Sequence, residues 1–279
     1  MGLYMNADAR PVPPAGHVCW RRDDPAAFQA AARAFLSAGL AAGEQVWYVA
    51  QRDPAAALVW LAAVPGFTDA LRDGAARLVA LDATYVDDRV ADPAAQVRAY
   101  AEATEAALAA GHTGLRVVAE ATGLVRTPGQ REAFTRYEHL IDRYMRAHPF
   151  SAMCVYDPQE LAAGAVAELA CLHPRSNADD VLFRLYAADQ DRAGLAGELD
   201  QSTHDLLATA LDRADLRPVD GRLVIDATHL RFVDHRSLLR LGEHARGLGA
   251  VAVLRTNRAA TARLVDLLDL PDLRVEAAR

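Results

Sequence analysis

His17 and Cys19 stand two residues apart in the run Gly16-His17-Val18-Cys19-Trp20. In an extended segment that spacing puts both side chains on one face. Imidazole and thiol together can hold a metal ion or haem, and Cys154, Cys171 or His173 would have to complete the set. The paired spacings of zinc sites are absent, however. The expectation is therefore no metal and no cofactor, with a buried thiol beside a hydrogen-bonded histidine. A nucleophilic enzyme would need a different set. No G-x-S-x-G turn and no G-x-G-x-x-G loop occurs, and the serines are few and scattered. No catalytic residues are assigned, and the chain is expected not to be an enzyme.

These residues sit at the ends of segments that read as strands. Apolar runs at 16–20, 46–50, 78–81, 115–119 and 152–156 suit buried strands of a parallel sheet. Helical patterns fall between them: one opening on Asp24-Pro25, then 54–63, 93–110 and 130–148. Val97, Ala101, Thr104 and Leu108 are expected to form the buried stripe of the third, and Phe134, Tyr137, Leu140, Ile141 and Tyr144 that of the fourth. Glu138 could point into the site, and a solvated helix face is its default place. Residues 1–13 read as a flexible lead-in, and the polar, turn-rich stretch 172–180 as a boundary. A second, smaller block follows, with strands at 182–187, 192–197, 223–226 and 251–255 and helices at 202–214, 237–247 and 259–268. The pattern predicts an α/β fold in two domains, 14–178 and 179–279.

In open α/β sheets, ligands sit at the carboxyl ends of strands. That rule nominates Cys19, Trp20, Arg21, Arg52, Tyr85, Glu120 and Tyr156 as ligand-binding residues, and His17 joins them through its shared face with Cys19. Glu120 reads equally as a ligand anchor or a structural carboxylate.

The chain has 279 residues, 30 Lys+Arg against 37 Asp+Glu, and a net charge of −7. All its basic residues are arginine. A mildly acidic chain without a basic face is a poor nucleic-acid binder. Its apolar stretches fall short of the roughly 20 residues of a membrane span. Without an apolar leader, and with three cysteines, a cytoplasmic location with reduced thiols is expected. The oligomeric state is not legible.

Two resemblances add to this reading. Gly197-Glu198-Leu199-Asp200, then 223–226, then Phe232-Val233-Asp234-His235-Arg236-Ser237-Leu238 resemble the STAS domain of bacterial anti-sigma factor antagonists. The resemblance implies a protein partner, such as a kinase-like anti-sigma factor, meeting Asp200, Asp234, His235, Arg236 and Ser237. In phospho-switched members the second serine of D-S-S-G is modified, and Arg236 occupies that place. Each aspartate reads equally as a turn or cap residue. The first block resembles the MEDS sensory domain, through Gly16-His17-Val18-Cys19, Phe35-Leu36, Gly39-Leu40, Gly43-Glu44, Leu115–Glu120, Tyr137-Glu138, Met153–Asp157 and His173-Pro174. That family is similar to RecA/KaiC folds and implies a small-molecule effector. A RecA-like phosphate loop needs glycines and a lysine. Here Trp20-Arg21-Arg22-Asp23-Asp24-Pro25-Ala26 has neither, so nucleotide turnover is not expected. Arg21 and Arg22 leave open an anion held without turnover. The expected function is a ligand sensor coupled to a partner-binding domain. The alternatives are a degenerate nucleotide binder and a pure interaction scaffold.

Overall fold

A computed structural model describes residues 16–81 and 92–278. The first half runs β1 (His17–Arg21), α1 (Pro25–Ala41), β2 (Gln45–Ala50), α2 (Pro54–Leu61), α3 (Phe67–Asp73), β3 (Ala76–Ala80), α4 (Pro93–Ala109), β4 (Leu115–Glu120), α5 (Pro128–Ala147), β5 (Phe150–Tyr156), α6 (Ala165–Ala170) and β6 (Arg175–Ser176). The second runs β7 (Phe183–Ala187), β8 (Ala193–Leu199), α7 (His204–Arg213), β9 (Arg222–Asp226), β10 (Leu230–Val233), α8 (His235–Gly247), β11 (Val251–Arg255), α9 (Ala259–Leu268) and β12 (Leu273–Glu276).

Four helices of the first half start by one device. Asp24, Asp53, Asp92 and Thr127 are N-caps whose side chains accept a first-turn N–H, and each is followed by proline. Each cap contributes about 1 kcal/mol, and proline there forfeits only a donor the helix would not use.

The strands of the first half form a six-stranded parallel sheet in the order β3-β2-β4-β5-β1-β6. Both faces are buried. Val18, Tyr48, Val118 and Met153 share one apolar layer with Phe28 and Phe35 of α1 and Phe67 of α3. Cys19, Val117, Cys154 and Tyr156 face the other layer, with Tyr137 and Ile141 of α5. That layer continues without a break into Phe183, Leu185, Leu195 and Leu207 of the second half. The second sheet is mixed, in the order β10-β8-β9-β11-β12, with β7 antiparallel to β8.

Several expectations are corrected. Helix α3 lies where no element was expected, flanked by left-handed Gly66 and Gly74. In α4 the buried residues are Gln96, Tyr100, Thr104 and Ala107, and Leu108 is exposed. In a helix this rich in alanine the large ring decides the face, and Tyr100 stacks on Phe150 at 5.2 Å. The stretch 172–180, read as a polar boundary, carries β6, and Leu172, His173 and Ala178 are buried. Strand β12 also lies beyond the elements expected. The lead-in 1–13 and Tyr85 lie outside the described residues. Among the described residues, no helix is long and apolar enough to cross a membrane.

Gly197 sits where β8 shifts register against β10. Its φ is +94°, and an added Cβ would lie 2.1 Å from the carbonyl oxygen of Leu182. Gly197→Ala therefore combines backbone strain with a clash against main chain, and roughly 2–4 kcal/mol of destabilisation is expected. Chemical denaturation measures it; a loss below about 0.5 kcal/mol would mean that this turn is soft.

Candidate functional site

Strand β1 alternates its side chains between the two layers. His17 and Cys19 face α5, as the period-two spacing requires, and Val18 and Trp20 face the opposite layer. His17 is fully buried. Its Nε2 donates to Glu138 Oε2 at 3.0 Å, and its Nδ1 faces Asp142 Oδ1 at 3.4 Å. Glu138 is also fully buried, which corrects its expected place on a solvated face. Helix α5 lies between the two sheets, so its middle turns have no solvent side.

Three more groups converge on Glu138. The Tyr156 hydroxyl donates to Oε1. Cys154 Sγ donates to Oε2 at 3.5 Å, and Sγ lies 3.7 Å from His17 Nε2. His173 Nε2 stands 3.5 Å from Oε2, and the His17 and His173 rings are 4.0 Å apart. His17, Glu138, Cys154 and His173 thus bring four ligand-type atoms within 4.8 Å of one another, all buried. Cys19 is beside this group on β1, in register with Cys154 of β5.

The electrostatics follow from burial and pairing. Burial opposes charge on His17, but the neighbouring Asp142 and Glu138 carboxylates outweigh it and raise its pKa to about 9. Burial would raise Glu138; the neighbouring histidines and the Tyr156 hydroxyl outweigh that and hold it far below the usual carboxylate range. His173 is pushed down to about 4, first by burial and then by the charge of His17. Burial, reinforced by Glu138, drives Cys154 and Tyr156 well above their ordinary values, so both keep their protons.

The carboxyl edge of the first sheet holds the remaining nominated residues. Tyr48 OH donates to Glu120 Oε1 at 2.8 Å, and the Gln51 N–H donates to Oε2 at 3.0 Å. Arg22 donates to Asp157 at 2.6 Å and lies 3.7 Å from Glu120. Arg126 pairs with Glu160, which also stands 3.7 Å from the exposed Arg52. Arg21 pairs with Asp23 and Asp180. Trp20 is half-buried against the Phe28 layer. These arginines are already paired with carboxylates, so among the described residues the edge presents no free cation for an anion.

The structure therefore splits the nominated ligand residues. His17, Cys19 and Tyr156 join the sealed cluster, while Trp20, Arg21, Arg52 and Glu120 ring the edge. Sequence reasoning missed Glu138 and Asp142 as partners of His17. Their i, i+4 spacing in the middle of an otherwise apolar helix stripe was the available signal.

In the second sheet, Asp200 and Asp234 follow the ends of β8 and β10, and both are caps. Asp200 accepts from the Ser202 N–H, and Asp234 accepts from the Ser237 N–H at 2.8 Å and from His204 Nε2 at 2.8 Å. Those hydrogen bonds hold Asp234 below its ordinary pKa against the opposing effect of burial. His235 and Arg236 are exposed, Ser237 is buried, and Phe232 is half exposed beside them.

One helix ties the two halves together. Asp142 of α5 faces His17 through Oδ1 and accepts the Ala187 N–H of β7 through Oδ2 at 2.8 Å. His139 Nδ1 accepts the Asp215 N–H, and Arg143 donates to the carbonyls of Gln190 and Asp215.

No match to the chain is found among curated proteins. The model of the MEDS family, described as the methanogen/methylotroph, DcmR sensory domain, matches residues 16–174, a span that contains His17, Glu138, Cys154 and His173. That match covers more than half of the chain, which belongs to the MEDS family of sensory domains.

Proposed function

We propose that this chain is a non-enzymatic sensor in which a small molecule at the carboxyl edge of the first sheet controls how the second sheet meets a protein partner. The observation that carries the reading is the position of Asp142. One carboxylate touches His17 of β1 and the main chain of β7, so a shift of β1 against α5 reaches the second sheet directly. The ligand class follows from the edge. Among the described residues its charges are spent on one another, and Trp20 and Tyr48 border it, which favours a neutral, largely apolar molecule with one hydrogen-bonding group.

The second half is read as a STAS domain. Support comes from Asp200, Asp226 and Asp234 at the carboxyl ends of β8, β9 and β10, and from the helix that Asp234 opens. The exposed Phe232, His235 and Arg236 then form an aromatic and basic patch suited to an acidic protein partner, such as a kinase-like anti-sigma factor. Arg236 stands in the first turn of α8, where the helix dipole disfavours positive charge unless a partner carboxylate meets it. With Ser237 sealed and Arg236 in the usual serine place, no phosphate is expected on residues 235–237 after incubation with an anti-sigma factor kinase. Intact-mass analysis reads this, and one added phosphate on Ser237 would restore the phospho-switch.

Native against denaturing mass spectrometry of the freshly purified full chain tests the sensor. An organic mass excess present only in the native spectrum, and lost in Glu120→Gln, is expected. A retained nucleotide would favour the degenerate RecA-like reading. A bare chain would be followed by thermal shift with neutral small molecules, where a ligand at 100 times its dissociation constant adds about 2.7 kcal/mol. No shift with any of them leaves an interaction scaffold.

A further inference from the structure

We propose that His17, Glu138, Cys154 and His173 form a four-ligand site for a divalent transition-metal ion of the zinc class. The proposal begins with His173. Its Nδ1 lies 2.9 Å from the carbonyl oxygen of Leu169, which only accepts, so Nδ1 carries the ring proton. Nε2 is then a bare lone pair. It is fully buried, has no hydrogen-bond partner, and faces the Glu138 carboxylate at 3.5 Å. A lone pair aimed at an anion in a dry interior is unfavourable, and a cation between them removes the conflict. The His17–Glu138 ion pair accounts for those two residues and leaves this nitrogen unexplained.

The other ligands are oriented in the same way. His17 turns Nδ1 to the Asp142 carboxylate and Nε2 into the cluster. Tyr156 occupies Glu138 Oε1 and leaves Oε2 facing the cluster. A histidine whose second nitrogen is held by a carboxylate or carbonyl is the usual outer arrangement of a metal site. The spacing also fits. Tetrahedral bonds of about 2.0 Å to nitrogen or oxygen and 2.3 Å to sulfur put ligand atoms about 3.3–3.5 Å apart. Here four of the six separations are 3.0, 3.5, 3.5 and 3.7 Å, and all six lie within 4.8 Å, so binding would draw the remaining pairs together. One thiolate, two imidazoles and one carboxylate suit zinc or cobalt(II), and a lone thiolate with two nitrogens disfavours magnesium or calcium. As the two positive charges arrive, the thiol proton of Cys154 and the Nε2 proton of His17 leave to solvent, so the cluster keeps its net charge. On the far side of His17, a cleft of about 620 Å³ is lined by Gly16, His17, Pro174 and Arg175.

The test is titration of the chelator-treated, reduced full chain with cobalt(II). One equivalent is expected, with a near-ultraviolet thiolate-to-cobalt charge-transfer band and the intense visible bands of a four-coordinate ion, displaced by zinc. Cys154→Ala is expected to remove the charge-transfer band and weaken zinc binding by more than about 100-fold. Cys171→Ala, buried but outside the set, keeps both. A folded wild-type chain without the band overturns the proposal, and this arm does not depend on any variant folding. So does a band that survives Cys154→Ala, or cobalt bound without thiolate character at exposed histidines. The readout is independent of the organic mass excess that tests the sensor reading, so either can fail alone.

Discussion

Glu138→Ala is expected to lower folding stability of the metal-free chain by about 3–5 kcal/mol, the range for breaking a buried ion pair by removing one partner. The substitution strips His17 of its closest carboxylate and leaves the Tyr156 hydroxyl and the Cys154 thiol without their acceptor. The cost is dominated by groups left stranded in a buried interior. Urea denaturation at fixed pH, with equal slopes for both proteins, gives the difference. A loss below about 1 kcal/mol would show that the pair is not sealed.

The same variant changes the pH profile. The folded pKa of His17 lies near 9, above the ordinary 6.5. Its contribution is therefore complete below 6.5 and fades as pH rises through about 9. Glu138 is depressed, so its contribution is present above the ordinary carboxylate value and is lost as pH falls through about 2. Wild-type stability is expected to decline from pH 6.5 to 9. Glu138→Ala flattens that slope, because His17 then keeps only Asp142 as a partner.

The strands and the sharing of one face by His17 and Cys19 were legible because they rest on local rules. Continuous runs such as 46–50 and 115–119 suit a parallel sheet buried on both sides, and the period of two fixes which side chains share a face. What escaped depended on a second layer that local rules do not see. Glu138 reads as a surface residue while α5 is imagined with one core-facing stripe. Once a second sheet packs on its other side, Thr135, Glu138, His139, Asp142 and Arg143 are interior as well. The stretch 172–180 shows the same limit. Its polar residues suggest a boundary, and local rules do not reveal that Ser176 lies in β6 or that Asn177 accepts the Arg21 N–H. The sequence alone leaves Asp200 and Asp234 open between cap and contact. Both are caps, and His204, whose imidazole meets Asp234, had no local signal.

Splitting the chain at residues 178/179 is expected to leave neither half able to unfold cooperatively, while the full chain melts in one transition. The polar turn region suggests two independent domains, but the packing argues otherwise. Leu169 and Leu172 of the first half share one buried layer with Phe183, Leu207 and Leu211 of the second. Each such side chain returned to water loses about 1.5–3 kcal/mol. The cut also strands Asp142, His139 and Arg143 of α5, and it separates Arg213 from Glu168. Even part of that sum approaches the whole stability of a domain, about 5–15 kcal/mol. Calorimetry of the full chain and circular dichroism of the two fragments decide the matter. Two resolved transitions, or a fragment melting where the full chain does, would sink the idea. They would also remove the basis for a rigid relay. If the halves share one core, a ligand cannot act by releasing one from the other. It acts by changing where α5 sits, and Asp142, held at once by His17 and by the main chain of β7, is the contact through which that displacement would be felt.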